Sequence, residues 1–339
     1  MRSFRQIFLF VVFLLILSGC KERLHQPIST LSQKERIALM DSLSKLDSLV
    51  IKNRTTNNAN ARRYGEYARI IGYKLNTPEA LSKTFNMIGN AFSISHMDSG
   101  FYYYSRALQI ADSNQIPKEK AKVLYNLAML NIAAYNYKSS IILLDSAMNI
   151  ARSVHDFIIV SNSLNSLGNI YLDLQDDTNA HKFFDSAFQV AKMNSLFQQM
   201  GTSIGSLAKF ERDSIKAIGL NKSAIRYLRM GNGSEEAIAF ILINIGNCFA
   251  IQDSSIFYYK LALHSITWEN TPEAAIGAYN NLACSYLDKG DINNAENCIL
   301  NYAIPYALKK NNFDWQSTVY ETYSEILRKE GKFRTPYLA

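Results

Sequence analysis

Six small residues, Gly89, Ala128, Gly168, Ala208, Gly246 and Ala283, follow one another at intervals of 39, 40, 40, 38 and 37 residues. Around each of them the same apolar pattern returns. In the clearest copy Leu164, Leu167, Gly168 and Tyr171 precede a polar stretch, and Ala180, Phe184 and Ala187 follow it. Leu167 and Tyr171 are four apart, so they share one face of a helix; Ala180, Phe184 and Ala187 share one face of a second. The stretch between them, DLQDDTNA, is rich in Asp and Asn, as a helix–helix connection should be. Neither helix can bury its stripe alone. Stacked neighbours must supply the core, and a fixed period of this length is the signature of such a stack. The spacing therefore predicts an all-α chain, an α-solenoid of helix pairs. Gly168 and Ala180 lack bulk and let the paired helices approach closely, while Tyr171 and Phe184 fill the space towards the next pair.

The other copies carry the same positions. They are Leu127, Ala128, Ser140, Leu144 and Ala147; Leu282, Ala283, Tyr286, Ala295, Ile299 and Tyr302; Ile88, Gly89, Phe92, Gly100, Tyr104 and Ala107; and Ile245, Gly246, Phe249, Ser255, Tyr259 and Ala262. The weakest has Leu207, Ala208, Ala217 and Ala224. This pattern resembles the tetratricopeptide repeat family, whose signature is Leu-x2-Leu-Gly-x2-Tyr followed by Ala-x3-Phe-x2-Ala. The resemblance covers about residues 80–330, with a degenerate first pair over 32–75. It departs from the family in two ways. The period is nearer 40 than about 34 residues, which implies longer helices, and the closing proline of each repeat is absent. The resemblance implies a right-handed superhelix in which the first helix of each pair lines a concave groove.

The repeat domain is placed at 32–339, with about six clear repeats between 80 and 310. Ile37, Met40, Leu43, Leu46 and Leu49 form one side of an opening helix, and Ala61, Gly65 and Ala68 have second-helix spacing. Near the other end, 318–333 reads as a first helix with Tyr320, Tyr323, Ser324 and Leu327 at the repeat positions. No second-helix pattern follows over RTPYLA. The final helix is expected to serve as its own cap, or the chain is a shortened relative of a longer protein.

The first residues differ from the rest. Arg2 and Arg5 precede an eleven-residue apolar run, Ile7 to Leu17, that ends in LSGC. The run is too short to span a membrane, which takes about 20 residues, and reads as a signal peptide core. Small residues before Cys20 resemble a bacterial lipobox. A signal peptide over 1–19, lipid attachment (thioether diacylglycerol with palmitate-type chains) at Cys20 and a tether over 20–31 are expected. Two long acyl chains, at ~0.8 kcal/mol per buried methylene, hold a protein with on the order of 20 kcal/mol. The address is then the bacterial cell envelope, on the periplasmic side because CKERL carries no acidic run. The net charge of +7 lies mostly before residue 84, near the anchor, where it favours anionic headgroups; residues 84–339 sum to −1. Export and the lack of a continuous basic stripe argue against nucleic acid. Cys248, Cys284 and Cys298 show no CxxC spacing and read as small helix-borne hydrophobes, with a Cys248–Cys284 disulfide as the alternative.

Chemistry-bearing motifs are missing. His25, His96, His155, His181 and His264 are scattered, and no phosphate-loop, dinucleotide or nucleophile-elbow motif occurs. No catalytic residue, metal or cofactor is assigned, and the chain is expected not to be an enzyme; a constellation assembled from distant repeats is the remote alternative. Asparagines are the better candidates. By motif position, Asn90, Asn169 and Asn247 follow the small residue, and Asn86, Asn165 and Asn280 precede it by three. Asn126 and Asn244 stand two before it. Each amide offers a donor and an acceptor on a short arm, suited to the backbone of an extended peptide. The alternative use of these amides is a bond to a neighbouring helix. Lys83 and Lys122 stand where the family's carboxylate-clamp lysines can act, although the full clamp is not matched. Tyr125, Met129, Phe240 and Ile243 would add apolar contacts. A lipid-anchored scaffold for a peptide or protein partner follows, with a sensory module of an envelope signalling system as the alternative.

Overall fold

The computed structural model describes residues 31–54, 57–266, 272–310 and 313–331. The signal segment, Cys20 and most of the tether lie outside the described residues. Within them the chain is helical and no strand occurs. Fifteen helices follow in order: α1 (Gln33–Asn53), α2 (Asn58–Leu75), α3 (Pro78–Phe92), α4 (Met97–Ser113), α5 (Pro117–Ala133), α6 (Tyr137–Ser153), α7 (Phe157–Asp173) and α8 (Asp177–Met193). They continue with α9 (Phe197–Leu207), α10 (Ser214–Met230), α11 (Glu235–Asn247), α12 (Gln252–Ser265), α13 (Pro272–Lys289), α14 and α15 (Phe313–Lys329). The α14 rod comprises Ile292–Cys298, a π turn at Ile299–Ala303 and Ile304–Lys310. Each helix packs on the next. First helices also meet first helices one repeat away: α1 with α3, α3 with α5, α5 with α7, α7 with α9, and α11 with α13. This is the α-solenoid that the spacing predicts.

The long period has a simple origin. Helices α4 to α8 are each 17 residues long. A three-residue link follows each of them, and its middle residue is left-handed: Gln115, Tyr135, His155, Gln175 and Ser195, with φ between 53° and 59°. The next amide donates back to the carbonyl five residues earlier, as in Ile116 N–H to Ala111 O at 2.8 Å and Asp176 N–H to Tyr171 O at 2.8 Å. This is a Schellman closure, which satisfies carbonyls that a helix end leaves open. Two such helix-plus-link units make one 40-residue repeat. The weakest copy is also irregular in structure. Helix α9 stops at Leu207, a 3-10 turn covers Ala208–Phe210, and Asp213 starts α10 by accepting from the amides of Ile215 and Lys216.

The small anchors work as contact points. A Cβ on Gly168 would lie 2.6 Å from the Phe184 ring, and one on Gly246 would lie 2.5 Å from the Tyr259 ring; Gly89 sits against Tyr104 in the same way. Phe184 thus lies first over its own pair and only then meets Phe210 of the next, at 6.2 Å between centroids. Tyr171 stacks on Phe183 of its own pair rather than bridging forward.

Two further expectations need correction. In α1 the fully buried residues are Leu43 and Val50, with Leu39, Met40 and Leu46 packed against the Leu43 cluster, whereas Ile37 is 57% exposed. The last helix begins at Phe313, and Val319, Thr322 and Ile326 form its buried stripe against α13 and α14, leaving Tyr320 exposed. Cys248, Cys284 and Cys298 are all free thiols; the first two are half-buried and the third is buried. From Ile204 to Ile326 the core is one continuous apolar cluster. In α1 to α8 it is divided among smaller ones.

Candidate functional site

The first helices α3, α5, α7, α9, α11 and α13 present equivalent residues one repeat apart, and several of these join across repeats. Lys83 Nζ donates to Ser44 Oγ at 2.9 Å. Asn126 Nδ2 donates to Asn86 Oδ1 at 2.8 Å. Asn165 Nδ2 donates to Ser203 Oγ at 3.0 Å, and Gln199 Nε2 reaches Asn162 Oδ1 at 3.4 Å. Asn281 Nδ2 donates to Asn247 Oδ1 at 3.2 Å. Two more contacts come from within a pair: the Tyr104 hydroxyl donates to Asn90 Oδ1 at 2.7 Å, and the Tyr259 hydroxyl to Asn247 Oδ1 at 2.6 Å. Much of the amide row therefore ties successive helices together.

The asparagines divide accordingly. Asn86, Asn90 and Asn165 are buried with their carbonyls engaged, and Asn126 is half-buried with its amide spent on Asn86. Asn280 is buried, and its Oδ1 has no partner. Asn247 remains exposed while its oxygen accepts two bonds. Asn169 is exposed and Asn244 half-buried. Of the apolar candidates Met129 and Phe240 are exposed, Tyr125 is half-buried and Ile243 is buried. Lys122 lies 3.4 Å from a Glu119 carboxylate oxygen.

One row stays open. The residues after the four middle anchors are Met129 on α5, Asn169 on α7, Lys209 in the 3-10 turn that follows α9, and Asn247 on α11, and all four are exposed, each beside its buried anchor. Lys209 is absent from the residues singled out on sequence, yet it holds the same motif position as Asn169. Asp47 and Glu236 are also new, as is Arg54. Burial pushes the Asp47 carboxyl up against the opposing pull of Lys83, Lys122 and Arg54. Burial, then the neighbouring Glu273, push Glu236 up. Burial raises the Tyr125 hydroxyl, and partial desolvation lowers the Lys209 ammonium against the opposing pull of Asp173, although the side chain reaches solvent. These are the directions expected where protein replaces part of the water around a charge. Among the described residues no group of His, Cys, Asp and Glu is arranged to hold a metal ion.

No protein-family model and no curated protein sequence matches the chain. Solved structures do. A Rap protein complexed with Competence and Sporulation Factor aligns at TM-score 0.60 and 15% identity, over 88% of each chain. A signal transduction ATPase of the STAND type from Pyrococcus horikoshii, with a tetratricopeptide repeat sensor, aligns at TM-score 0.59 and 15% identity, over 88% of this chain and 44% of that one. NprR in complex with its cognate peptide NprX aligns at TM-score 0.56 and 13% identity, over 90% of this chain and 88% of that one. At these identities the likeness is one of fold.

Proposed function

We propose, from a fold that is a tetratricopeptide-like α-solenoid, that this chain is a non-catalytic scaffold that holds a peptide or protein segment along the inner row of its first helices. The open row Met129, Asn169, Lys209 and Asn247 carries this reading. It offers an apolar contact, an Asn169 amide able to donate and accept, an Asn247 amide left to donate, and one cation, spaced by single repeats. An extended chain laid across it could exchange backbone hydrogen bonds with Asn169 and Asn247, and a carboxylate with Lys209. Asn244 and Phe240, which remain accessible on α11, extend the row. Two similar solved structures hold Competence and Sporulation Factor and a cognate peptide, which supports the same use of this fold. A photo-crosslinking amino acid placed at Asn169 in intact cells tests it. Crosslinked peptides unique to position 169, and missing from the outward-facing position 102, are expected. An identical set from both positions removes the reading.

The lipid anchor at Cys20 belongs to the same proposal. Replacing Cys20 with Ser should move the chain from the membrane fraction to the soluble one and abolish labelling by a fatty acid analogue. Retention with labelling intact would defeat it. The similarity to a repeat sensor favours a second reading, a sensory module of an envelope signalling system. A ligand-dependent change in a downstream response would distinguish it from a passive scaffold.

A further inference from the structure

A recess of about 540 Å³ opens between the second helices α10 and α12, over α11. It lies away from the inner row and stands independently of it. Its floor is apolar: Leu242 and Ile245 of α11 sit at the bottom, 7% and 1% exposed. Tyr258 of α12 forms one wall, stacked on Phe249 at 5.4 Å. The other wall is cationic. Lys222, Arg226 and Arg229 line the recess from α10, where their spacing of four and three puts them on one helix face. All three are exposed, and among the described residues none has a carboxylate partner. The Arg226 guanidinium lies 5.5 Å from the centroid of the Tyr227 ring.

The charge here is concentrated. Helix α10 carries Lys216, Lys222, Arg226 and Arg229 and no acidic residue, within a stretch, 84–339, that sums to −1. The regular stack also breaks at this point. A four-residue link with two glycines, Gly231 to Ser234, replaces the usual three, and α12 has 14 residues where α4 to α8 have 17. An apolar floor below a cationic rim calls for a ligand with the opposite layout, apolar side chains reaching down and carboxylates held at the edge.

We infer that this recess docks an acidic, amphipathic segment of a partner protein, whose apolar side chains cover Leu242 and Ile245 and whose carboxylates meet Lys222, Arg226 and Arg229. A flat headgroup surface would meet the cations but leave the recessed floor uncovered, so a protein segment fits the layout better than a bilayer does.

The test uses the full chain in detergent and a fluorescent helix-forming peptide of about 18 residues, with Leu at three- and four-residue spacing and Glu on the flanks. Binding is read by fluorescence anisotropy. A copy with Lys in place of Glu, and phosphatidylcholine vesicles with and without phosphatidylglycerol, run in parallel. The acidic peptide should bind and the Lys copy should not. Raising salt from about 50 to about 300 mM should weaken binding severalfold. K222E/R226E/R229E should weaken it at least about tenfold, a loss of about 1.4 kcal/mol, with an unchanged circular dichroism spectrum. The inner-row variant N169A/K209A should bind as the parent does, which separates the two surfaces. Equal binding of both peptides, no binding of the acidic one, or an unaffected triple variant would overturn the inference. So would vesicle binding that depends on the three cations in the absence of peptide binding.

Discussion

At the scale of single residues, the anchor positions follow a pairing rule. Where the small residue is Gly, the side chain opposite is aromatic: Gly89 with Tyr104, Gly168 with Phe184, Gly246 with Tyr259. Where it is Ala, the residue at the matching motif position is aliphatic: Ala128 with Leu144, Ala283 with Ile299, Ala208 with Ala224. One methyl group decides which can lie across the helix crossing. Gly168→Ala should therefore cost about 1–3 kcal/mol through overpacking, offset in part by the better helix propensity of Ala, about 1 kcal/mol. Adding Phe184→Leu recreates the Ala128–Leu144 pair. A double-mutant cycle from denaturation midpoints should show the pair losing less than the two single variants together. Simple additivity would remove the rule.

Asp47 gives a second residue-scale prediction. Burial raises its carboxyl, so the charged form is penalised in the fold at neutral pH. A raised value means that the relative stabilisation is present at low pH and is lost as pH rises through it. Asp47→Asn should then be more stable than the parent near about pH 7, and the gap should close towards about pH 4 as the parent protonates. A gap of the opposite sign would mean that attraction to Lys83, Lys122 and Arg54 outweighs burial. The site was partly legible at this scale. Motif position placed Asn169 and Asn247 on the open row and would have found Lys209 by the same count. It did not reveal that Asn86, Asn90 and Asn165 spend their carbonyls inside the fold, because those partners, Asn126, Tyr104 and Ser203, lie on other helices.

At the scale of helices, the recurring three-residue link explains both the period and a weakness. Gln115, Tyr135, His155, Gln175 and Ser195 all take the left-handed conformation that Gly adopts without strain. Gln115→Gly and Gln175→Gly, both at exposed positions, should each raise stability by about 0.5–1 kcal/mol and shift the thermal midpoint upward. Two links this far apart should contribute additively. A fall in stability would mean that the Gln side chains hold the links in place. Helix pairs were legible because the anchor interval counts two helices and two links. The ends of α9 and α15 were not. The break at Glu211 follows from Asp213 capping α10, and the α15 register follows from its packing on α13 and α14; neither leaves a periodic mark in the sequence.

At the scale of the molecule, the uneven core bears on how the stack comes apart. In a solenoid each pair contacts only its neighbours, so stability is set pair by pair and by the interfaces between pairs. Here the apolar contacts run unbroken from Ile204 to Ile326, while α1 to α8 divide theirs among separate clusters, and among the described residues α1 and α2 have a neighbouring pair on one side only. The stack should therefore open in segments, α1 and α2 first and α9 to α15 together, with opening free energies that differ along the chain. Hydrogen exchange read by mass spectrometry resolves this. Ile276→Ala, at a fully buried position in the continuous cluster, should cost about 2–5 kcal/mol and speed exchange throughout α9 to α15 while leaving α1 to α4 near their parent rates. Leu43→Ala, equally buried but in a small cluster shared by α1, α2 and α3, should speed exchange in those helices alone. If Ile276→Ala accelerates α1 to α4 as much as α11, the chain unfolds as one unit and the division of its core has no mechanical meaning.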